Sequence, residues 1–246
     1  MKKFEHLRVV GMTLKAAESD VHANKSAYES KYSSGYGLMY PDGHVIRFYE
    51  KFLRHELGLS SGRILDLGVG NGCHARYFES KGFEVYGVDM SAQAISSLLS
   101  LDPAQGHQFC AFDLTTSGLS DCFPGLQFDL VFSNQVLYYL NAQRISSLCE
   151  ELQPLMKDTS YVYFTMMSAQ NYYYPLSKAI QGDSRRRVEL AGRLNEVTDI
   201  LFMNSEDHLV ETFSAFDPLF VGSYDVTMRE GSGHHYQYLG KKKRES

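Results

Sequence analysis

The sequence lacks an apolar run long enough to cross a bilayer, which takes about 20 residues in a helix. Its first residues include two lysines but no sustained apolar stretch, so a secretory signal is not expected there. Cysteine is scarce: the four residues form no Cys-x-x-Cys pair and do not cluster with histidines at metal-ligand spacing. These absences predict structural thiols, no bound metal, no membrane span and a cytoplasmic location.

An excess of positive charge is also missing, since the net charge is −5 at pH 7. A protein whose main role is to coat nucleic acid is therefore disfavoured, and we expect no nucleic-acid partner. The 246 residues are 43% hydrophobic and 22% charged, which is ordinary for a globular protein with a large core. The sequence shows no internal repeat, and its length predicts one decorated α/β domain.

Strands and helices alternate through the middle of the chain. The predicted strands cover residues 63–67, 84–89, 108–112, 128–133 and 161–166, and the predicted helices cover 72–80, 92–100 and 142–152. Such alternation indicates right-handed crossovers and a mainly parallel sheet covered on both faces. Near the end, two β-rich stretches flank Arg-Glu-Gly-Ser-Gly. The predicted fold is an α/β three-layer sandwich, with a mostly parallel seven-stranded sheet and a C-terminal antiparallel hairpin.

The flanking regions are more polar. Helices are predicted near residues 16–31 and over 44–57, the second with one apolar face, an N-cap at Asp42 and a C-cap at Gly58. Residues 168–204 are rich in tyrosine and basic residues and contain no predicted strand. The three arginines at 185–187 are typical of a solvated helix face, with contact to an anionic substrate as the alternative.

The most informative segment is Ile-Leu-Asp-Leu-Gly-Val-Gly-Asn-Gly at residues 64–72, a buried strand that enters a glycine-rich turn. Glycines allow a tight turn and a close approach of a ligand to the backbone. The free N–H groups of the following helix favour a polar or anionic ligand group. A dinucleotide fingerprint would have glycine or alanine at position 73, and Cys73 stands there, which weakens an NAD-binding interpretation.

Two acidic residues follow the next two strands. Asp89 ends the second predicted strand, where a carboxylate can accept hydrogen bonds from both ribose hydroxyls of an adenosine. Asp113 follows the third, where it can accept from an adenine amino group. Taken singly, Asp89 fits a helix cap and Asp113 a turn acid. Because the carboxyl ends of parallel strands share one edge, the glycine turn and both acids are predicted to line one cleft.

This ordered set resembles the class I S-adenosylmethionine (SAM)-dependent methyltransferases. Asp66 and the three glycines match the family's first motif, Asp89 its ribose-binding acid and Asp113 its adenine-contacting acid. Residues 128–140 match the strand beside the methyl-transfer site and the start of the next helix. The resemblance implies a single domain with four parts: an N-terminal helical cap at 1–60, a SAM-binding core at 61–167, a substrate lid at 168–204, and a C-terminal helix and β-hairpin at 205–246.

The resemblance also implies SAM as the cofactor. The residues expected to hold it are Tyr32, Asp66, Gly68, Val69, Gly70, Gly72, Asp89, Met90, Asp113, Leu114, Ser133 and Asn134. The N-terminal loop with Tyr36 and Tyr40 is expected to fold over it. Tyr138, Tyr173 and Arg186 are the expected substrate contacts.

The sequence does not identify a catalytic base. Many relatives have Glu-His shortly after the fourth strand, whereas this chain has Tyr138 and Tyr139. His44, His74 and Tyr139 are the candidates, and His234 and His235 are expected on a strand surface. The expected reaction is methylation, at oxygen, of a small-molecule, glycan-like or phosphate-bearing acceptor. Two alternatives stay open: a non-catalytic SAM-binding partner subunit and an NAD-linked oxidoreductase. RNA and protein acceptors are disfavoured by the acidic charge.

Overall fold

The computed structural model describes residues 40–101, 108–190 and 196–244, so the helix predicted at 16–31 and the cofactor contact predicted at Tyr32 lie outside the described residues. The helices are α1 (Gly43–Phe48, continued by a π-helical segment, Tyr49–Glu56), α2 (Cys73–Glu79), α3 (Ala92–Leu101), α4 (Ala142–Leu152) and α5 (Glu206–Thr212). The strands are β1 (Gly62–Leu67), β2 (Phe83–Asp89), β3 (Phe109–Ala111), β4 (Phe128–Ser133), β5 (Met156–Met167), β6 (Ser177–Ala179), β7 (Arg186–Leu190), β8 (Glu196–Ile200), β9 (Phe216–Tyr224), β10 (Thr227–Met228), β11 (Gly231–Ser232) and β12 (His235–Lys242).

The central sheet has the strand order β3-β2-β1-β4-β5-β12-β9. The first five strands are parallel, and β12 runs antiparallel to both β5 and β9. This arrangement confirms the predicted seven-stranded sheet with its antiparallel hairpin. Because β12 runs the other way, its first residue, His235, pairs with Met167 at the end of β5 and with Tyr224 at the end of β9.

Helices cover both faces of the sheet. Side chains alternate along β1, so Ile64 packs in a core shared with α1, α2 and α3, whereas Leu65 packs in a second core with α4 and α5. The first core includes Phe48 of α1 stacked on Tyr163 of β5, with ring centroids 3.7 Å apart. The sheet therefore forms the middle layer of a three-layer sandwich, and its carboxyl edge is left for the loops.

Local capping explains several helix bounds. The side chain of Asn141 accepts a hydrogen bond from the backbone N–H of Arg144 at 2.8 Å and starts α4 at the predicted residue. Gly58 has φ +63°, as expected for the glycine after a helix. Asp42 is the N-cap residue of α1, as predicted, and its carbonyl oxygen accepts from the N–H groups of Val45 and Ile46. Its side chain makes no cap hydrogen bond and contacts Asn134 and His74 instead.

Residues 168–204 differ from the prediction. They contain a three-stranded antiparallel sheet, β6-β7-β8, where no strand was expected. The arginine run enters β7 rather than forming a helix face, and the guanidinium of Arg187 binds the carboxylate of Asp199 across to β8 at 2.8 Å. The side chain of Val188 is fully buried beneath this sheet. These strands depend on cross-strand partners, which local sequence patterns do not reveal.

Two further expectations are corrected. Strand β5 begins at Met156 rather than at residue 161. Cys110 and Cys122 are joined in a disulfide, because the 3-10 turn Leu119–Cys122 lies against the end of β3, while Cys73 and Cys149 are buried free thiols.

In the described ranges, every helix is too short or too polar to cross a membrane.

Candidate functional site

The glycine turn leaves β1 at the carboxyl edge of the sheet. The backbone N–H groups of Gly68 and Val69 both donate to the carbonyl oxygen of Val88 on β2, at 2.8 and 2.9 Å. Gly68 has φ +88°, and a Cβ there would collide with the side chain of Val136. Gly70 and Gly72 have φ +55° and +73°. Only glycine adopts this run of conformations without strain, so the turn brings bare backbone to the sheet edge.

Asp66 lies beneath this turn. It is 2% exposed, and its Oδ2 atom has no hydrogen-bond partner among the described residues. Burial raises the pKa of Asp66 to about 7, although the charge of His74 opposes that rise. A buried carboxylate oxygen without a donor costs free energy, and a ligand that brings an N–H group or a cation would satisfy it. Asp66 therefore fits the amino end of SAM.

Asp89 ends β2 beside the turn. Its Oδ2 accepts from the N–H of Gly70 and its Oδ1 from the N–H of Ser91, both at 2.9 Å. Burial raises the pKa of Asp89, while these two backbone bonds lower it. Each carboxylate oxygen keeps lone-pair capacity for another donor. The carboxylate is thus fixed in place and can accept from hydroxyl groups such as those of a ribose.

Residues after β3 form the next part of the edge. Oδ1 of Asp113 accepts from the backbone N–H and the hydroxyl of Thr115, at 2.9 and 2.8 Å, so this carboxylate organises a turn. Leu114 is 8% exposed, and its carbonyl oxygen accepts from the guanidinium of Arg144. Met90, next to Asp89, is half-buried. The adenine contacts expected of Asp113 and Leu114 stay predictions.

A polar network joins α1 to the end of β4. Nδ2 of Asn134 donates to the carboxylate of Asp42 at 3.0 Å, and Oδ1 of Asn134 lies 2.8 Å from Nε2 of His44. The hydroxyl of Thr165 on β5 also donates to that Oδ1, at 3.0 Å. Ser133, just before, is fully buried and donates its hydroxyl to the carbonyl of Leu67. The network places His44 directly above the ends of β4 and β5.

His74, at the start of α2, contacts both the backbone N–H and the carboxylate of Asp42. Burial would lower the pKa of His74, but the hydrogen bond with Asp42 and the nearby Cys73 and Asp66 raise it to about 10. Its Nε2 lies 3.5 Å from the carboxylate of Asp42. The imidazole of His74 is thus engaged with Asp42, whereas Nδ1 of His44 makes no hydrogen bond to a described residue, so His44 is the better candidate for a base.

The expected substrate contacts are engaged within the protein. Arg186 donates to the hydroxyl and carbonyl oxygens of Ser177 and stacks on the ring of Tyr174, 4.9 Å from its centroid. Tyr138 is buried, and its ring lies 4.6 Å from that of Tyr139. Tyr173 is half-buried. The substrate roles given to Tyr138, Tyr173 and Arg186, and the base role given to Tyr139, stay predictions.

The structure adds residues that the sequence did not single out. The rings of His44, Tyr224 and His235 lie nearly parallel, with centroids 3.7 Å apart for the first pair and 5.3 Å for the second. Gln135 has φ +60°, donates its N–H to Thr165 at 2.7 Å and its side chain to the hydroxyl of Tyr224 at 3.2 Å. His235 is 6% exposed, so its predicted place on a strand surface is wrong. No described group of three His, Cys, Asp or Glu side chains could hold a metal ion.

Comparison with known proteins agrees with this geometry. Residues 65–164 match a family model described as a methyltransferase domain, and this segment includes the glycine turn, Asp89 and Asn134. This match and the shared fold support a class I SAM-dependent methyltransferase with SAM as its cofactor.

Two curated relatives match part of the chain at 26% and 28% identity. The chain is 26% identical over 132 residues to hemagglutinin 1 of Eikenella corrodens, covering 51% of this chain and 42% of that protein. It is 28% identical over 109 residues to malonyl-[acyl-carrier protein] O-methyltransferase of Enterobacter lignolyticus, covering 44% of this chain and 40% of that protein. The chain thus spans under half the length of these relatives.

Solved structures share the fold at low identity. A 1,6-didemethyltoxoflavin-N1-methyltransferase from Burkholderia thailandensis, with S-adenosylhomocysteine (SAH) bound, has a TM-score of 0.59 and 17% identity, covering 92% of this chain and 90% of that one. The PH0226 protein of Pyrococcus horikoshii has a TM-score of 0.63 and 16% identity, covering 85% and 95%. At this identity the likeness concerns the fold alone.

Proposed function

We propose that this protein transfers a methyl group from SAM to a small-molecule acceptor, at oxygen. One observation carries the proposal: the glycine turn, the unpartnered buried oxygen of Asp66 and the fixed carboxylate of Asp89 meet at the adjoining carboxyl ends of β1 and β2. Bound SAM supplies an electrophilic methyl group on a positively charged sulfur.

Each residue of the edge has a defined part in this proposal. The glycine turn and Asp66 hold the amino-acid end of the cofactor, and Asp89 accepts from the ribose hydroxyls. Asp113 and Leu114 contact the adenine. The backbone after β4, at Ser133 and Asn134, lines the reacting end, where the hydroxyl of Ser133 ties β4 to β1.

The protein's main contribution to rate is placement. A methyl transfer needs the nucleophile about 3 Å from the methyl carbon and in line with the bond that breaks. Asn134 and Thr165 are fixed by hydrogen bonds within the protein, so these side chains are preorganised at the ends of β4 and β5. Buried aromatic side chains such as Tyr138 exclude water, which would otherwise stabilise the charged reactant.

The identity of the acceptor is also part of this proposal. The two named enzymes above act, by their names, on an acyl-carrier protein at oxygen and on a toxoflavin precursor at nitrogen, so family membership does not choose the atom. Oxygen is supported here by the imidazole of His44, which lies at the reacting edge and can take a hydroxyl proton. A glycan-like acceptor under residues 168–204 is a further candidate within the same reaction.

The ribose assignment predicts the effect of Asp89→Asn. The change removes the charge from hydrogen bonds to the ribose, and we expect SAH affinity to fall about 30-fold, which corresponds to about 2 kcal/mol. Titration calorimetry with SAH measures it, and a thermal melt checks that the variant folds. Asp158→Asn is the matched control, because the Asp158 side chain is 95% exposed. Equal affinity in both variants would contradict the assignment.

Calorimetry on the unaltered protein tests the class of activity. SAM and SAH are expected to bind and NAD is not. Methyl transfer from radiolabelled SAM then separates an enzyme from a non-catalytic SAM-binding subunit, for which the expected result is binding without turnover.

A further inference from the structure

His44 is held by a chain of fixed hydrogen-bond partners. A carboxylate only accepts hydrogen bonds, so the amide of Asn134 must turn its Nδ2 towards Asp42, at 3.0 Å. Its Oδ1 therefore faces His44, whose Nε2 lies 2.8 Å away. The hydroxyl of Thr165 donates to the same oxygen and holds it in that orientation.

This arrangement selects one form of the imidazole. Because Oδ1 of Asn134 can only accept, Nε2 of His44 must carry the hydrogen, and in the neutral ring Nδ1 then carries the lone pair. Nδ1 makes no hydrogen bond to any described residue, and His44 is only partly buried, so this nitrogen can be reached. The ring is also stacked on Tyr224 at 3.7 Å, which prevents it from turning over.

We propose that His44 is the general base of the methyl transfer, that Asn134 positions it, and that the acceptor is an uncharged molecule with a hydroxyl group. The proposal rests on the proposed function. In the step, the acceptor's O–H bond breaks and its proton passes to Nδ1 of His44. The oxygen forms the new bond to the methyl carbon, and the electron pair of the broken carbon–sulfur bond stays on sulfur.

A second histidine supports the acceptor class. Nδ1 of His235 lies 2.7 Å from the carbonyl oxygen of Gly233 and must donate to it, so Nε2 carries the lone pair. Nε2 is buried and lacks a hydrogen-bond partner among the described residues. The lone pairs of these two imidazoles, whose rings both lie parallel to that of Tyr224, would repel an anion and would accept from a neutral donor.

Burial and the neighbouring groups together lower the pKa of His44. Burial lowers the pKa of His44, and the positive charges of His74 and Arg47 lower it as well. The hydrogen bond with Asn134 and the negative charge of Asp42 raise the pKa, but the net result is a lowered value. His74 and Asp42 form an ion pair with each other. On the sheet side, Asn134, Thr165 and Tyr224 face His44 without bearing a charge, because burial also raises the pKa of Tyr224.

The first experiment needs neither acceptor nor cofactor. Long-range ¹H–¹⁵N correlation spectra of the unaltered protein near pH 7 report which ring nitrogen is protonated, with the His44 signals identified by their loss in His44→Gln. We expect a neutral ring with hydrogen on Nε2, and a mixture of tautomers in Asn134→Ala. A ring protonated on both nitrogens, or on Nδ1 alone, would overturn the base assignment whether or not SAM binds.

The second experiment measures methyl transfer from radiolabelled SAM to uncharged probes (catechol, resorcinol and 4-hydroxyquinoline) and to matched anions (benzoate and phenyl phosphate). We expect the uncharged set to be methylated, with kcat lowered about 100-fold or more in His44→Gln and SAH affinity within about threefold. His55→Gln, on the same helix but exposed, is the control and is expected to keep its activity.

His235→Phe keeps an aromatic ring and removes the lone pair, so KM is expected to rise several-fold for these probes while kcat is kept. Unchanged kcat in a folded, SAH-binding His44→Gln would overturn the base. Methylation of the anions alone, or of none of the uncharged probes, would overturn the acceptor class.

Discussion

Asp66 is buried in a site that leaves one of its oxygens without a donor. Burial raises the pKa of Asp66 from 3.8 to about 7, so ionisation is easier in the unfolded chain and the folded state loses stability as pH rises between these values. An asparagine at position 66 does not titrate, so Asp66→Asn should escape this loss. The difference in unfolding free energy between the variant and the unaltered protein should therefore shift in favour of the variant by up to about 3 kcal/mol from about pH 4.5 to about pH 7.5. Urea unfolding at both pH values measures this gain.

The same variant should bind SAH more weakly, because an amide replaces the negative charge that faces the ligand's amine. Asp158→Asn, at an exposed position, should show neither change. A stability difference that does not vary with pH would mean that Asp66 is ionised freely in the folded protein.

Single residues also differ in how well the sequence reveals them. The positions of Asp66 near the end of β1 and of Asp89 at the end of β2 could be predicted from the sequence, because both follow from local strand patterns, whereas their ligand contacts stay predictions. His235 could not, since its burial arises from pairing with Met167 and Tyr224, and both contacts join distant parts of the chain. Its neighbour His234 lies half-buried, although the two residues look alike in the sequence.

Among the elements, α1 carries Asp42 and His44 to the sheet edge, and Phe48 anchors it. Phe48 is 1% exposed and stacks on Tyr163. Phe48→Ala should lower the unfolding free energy by about 3–5 kcal/mol through lost burial and the remaining cavity. Ile46→Ala, at a 39% exposed position on the same helix, should cost much less. Urea unfolding compares the two, and similar losses would show that α1 is not held by this face.

The elements that sequence patterns predicted are those with local signals. The helix α4 has an N-cap and an apolar face, and both of its ends were predicted. The small sheet β6-β7-β8 has neither signal: its strands are short, and Arg187 gains its partner Asp199 only once β7 and β8 pair. Short strands of this kind are defined by tertiary contacts more than by their own residues.

For the molecule as a whole, the cofactor is expected to stabilise the fold, since the residues proposed to hold it come from β1, β2 and the end of β4. At about 100 times its dissociation constant, SAH should add about 2.7 kcal/mol to the unfolding free energy. For a chain of this size, that gain corresponds to a rise in Tm of about 5–10 °C. Differential scanning calorimetry measures the shift in Tm, with NAD at the same concentration as the control. An equal shift with NAD would contradict selectivity for SAM and SAH.

The reversed direction of β12 has a consequence for how the proposed acceptor site can diversify. The connection between β9 and β12 returns to the ligand edge, so Tyr224 and His235 stand there although they come from the last strands of the sheet. Cofactor recognition and this wall of the pocket are therefore encoded far apart in the gene. Exchanging residues 225–234 between homologues is a route to new acceptor preferences that leaves the adenosine-binding half untouched.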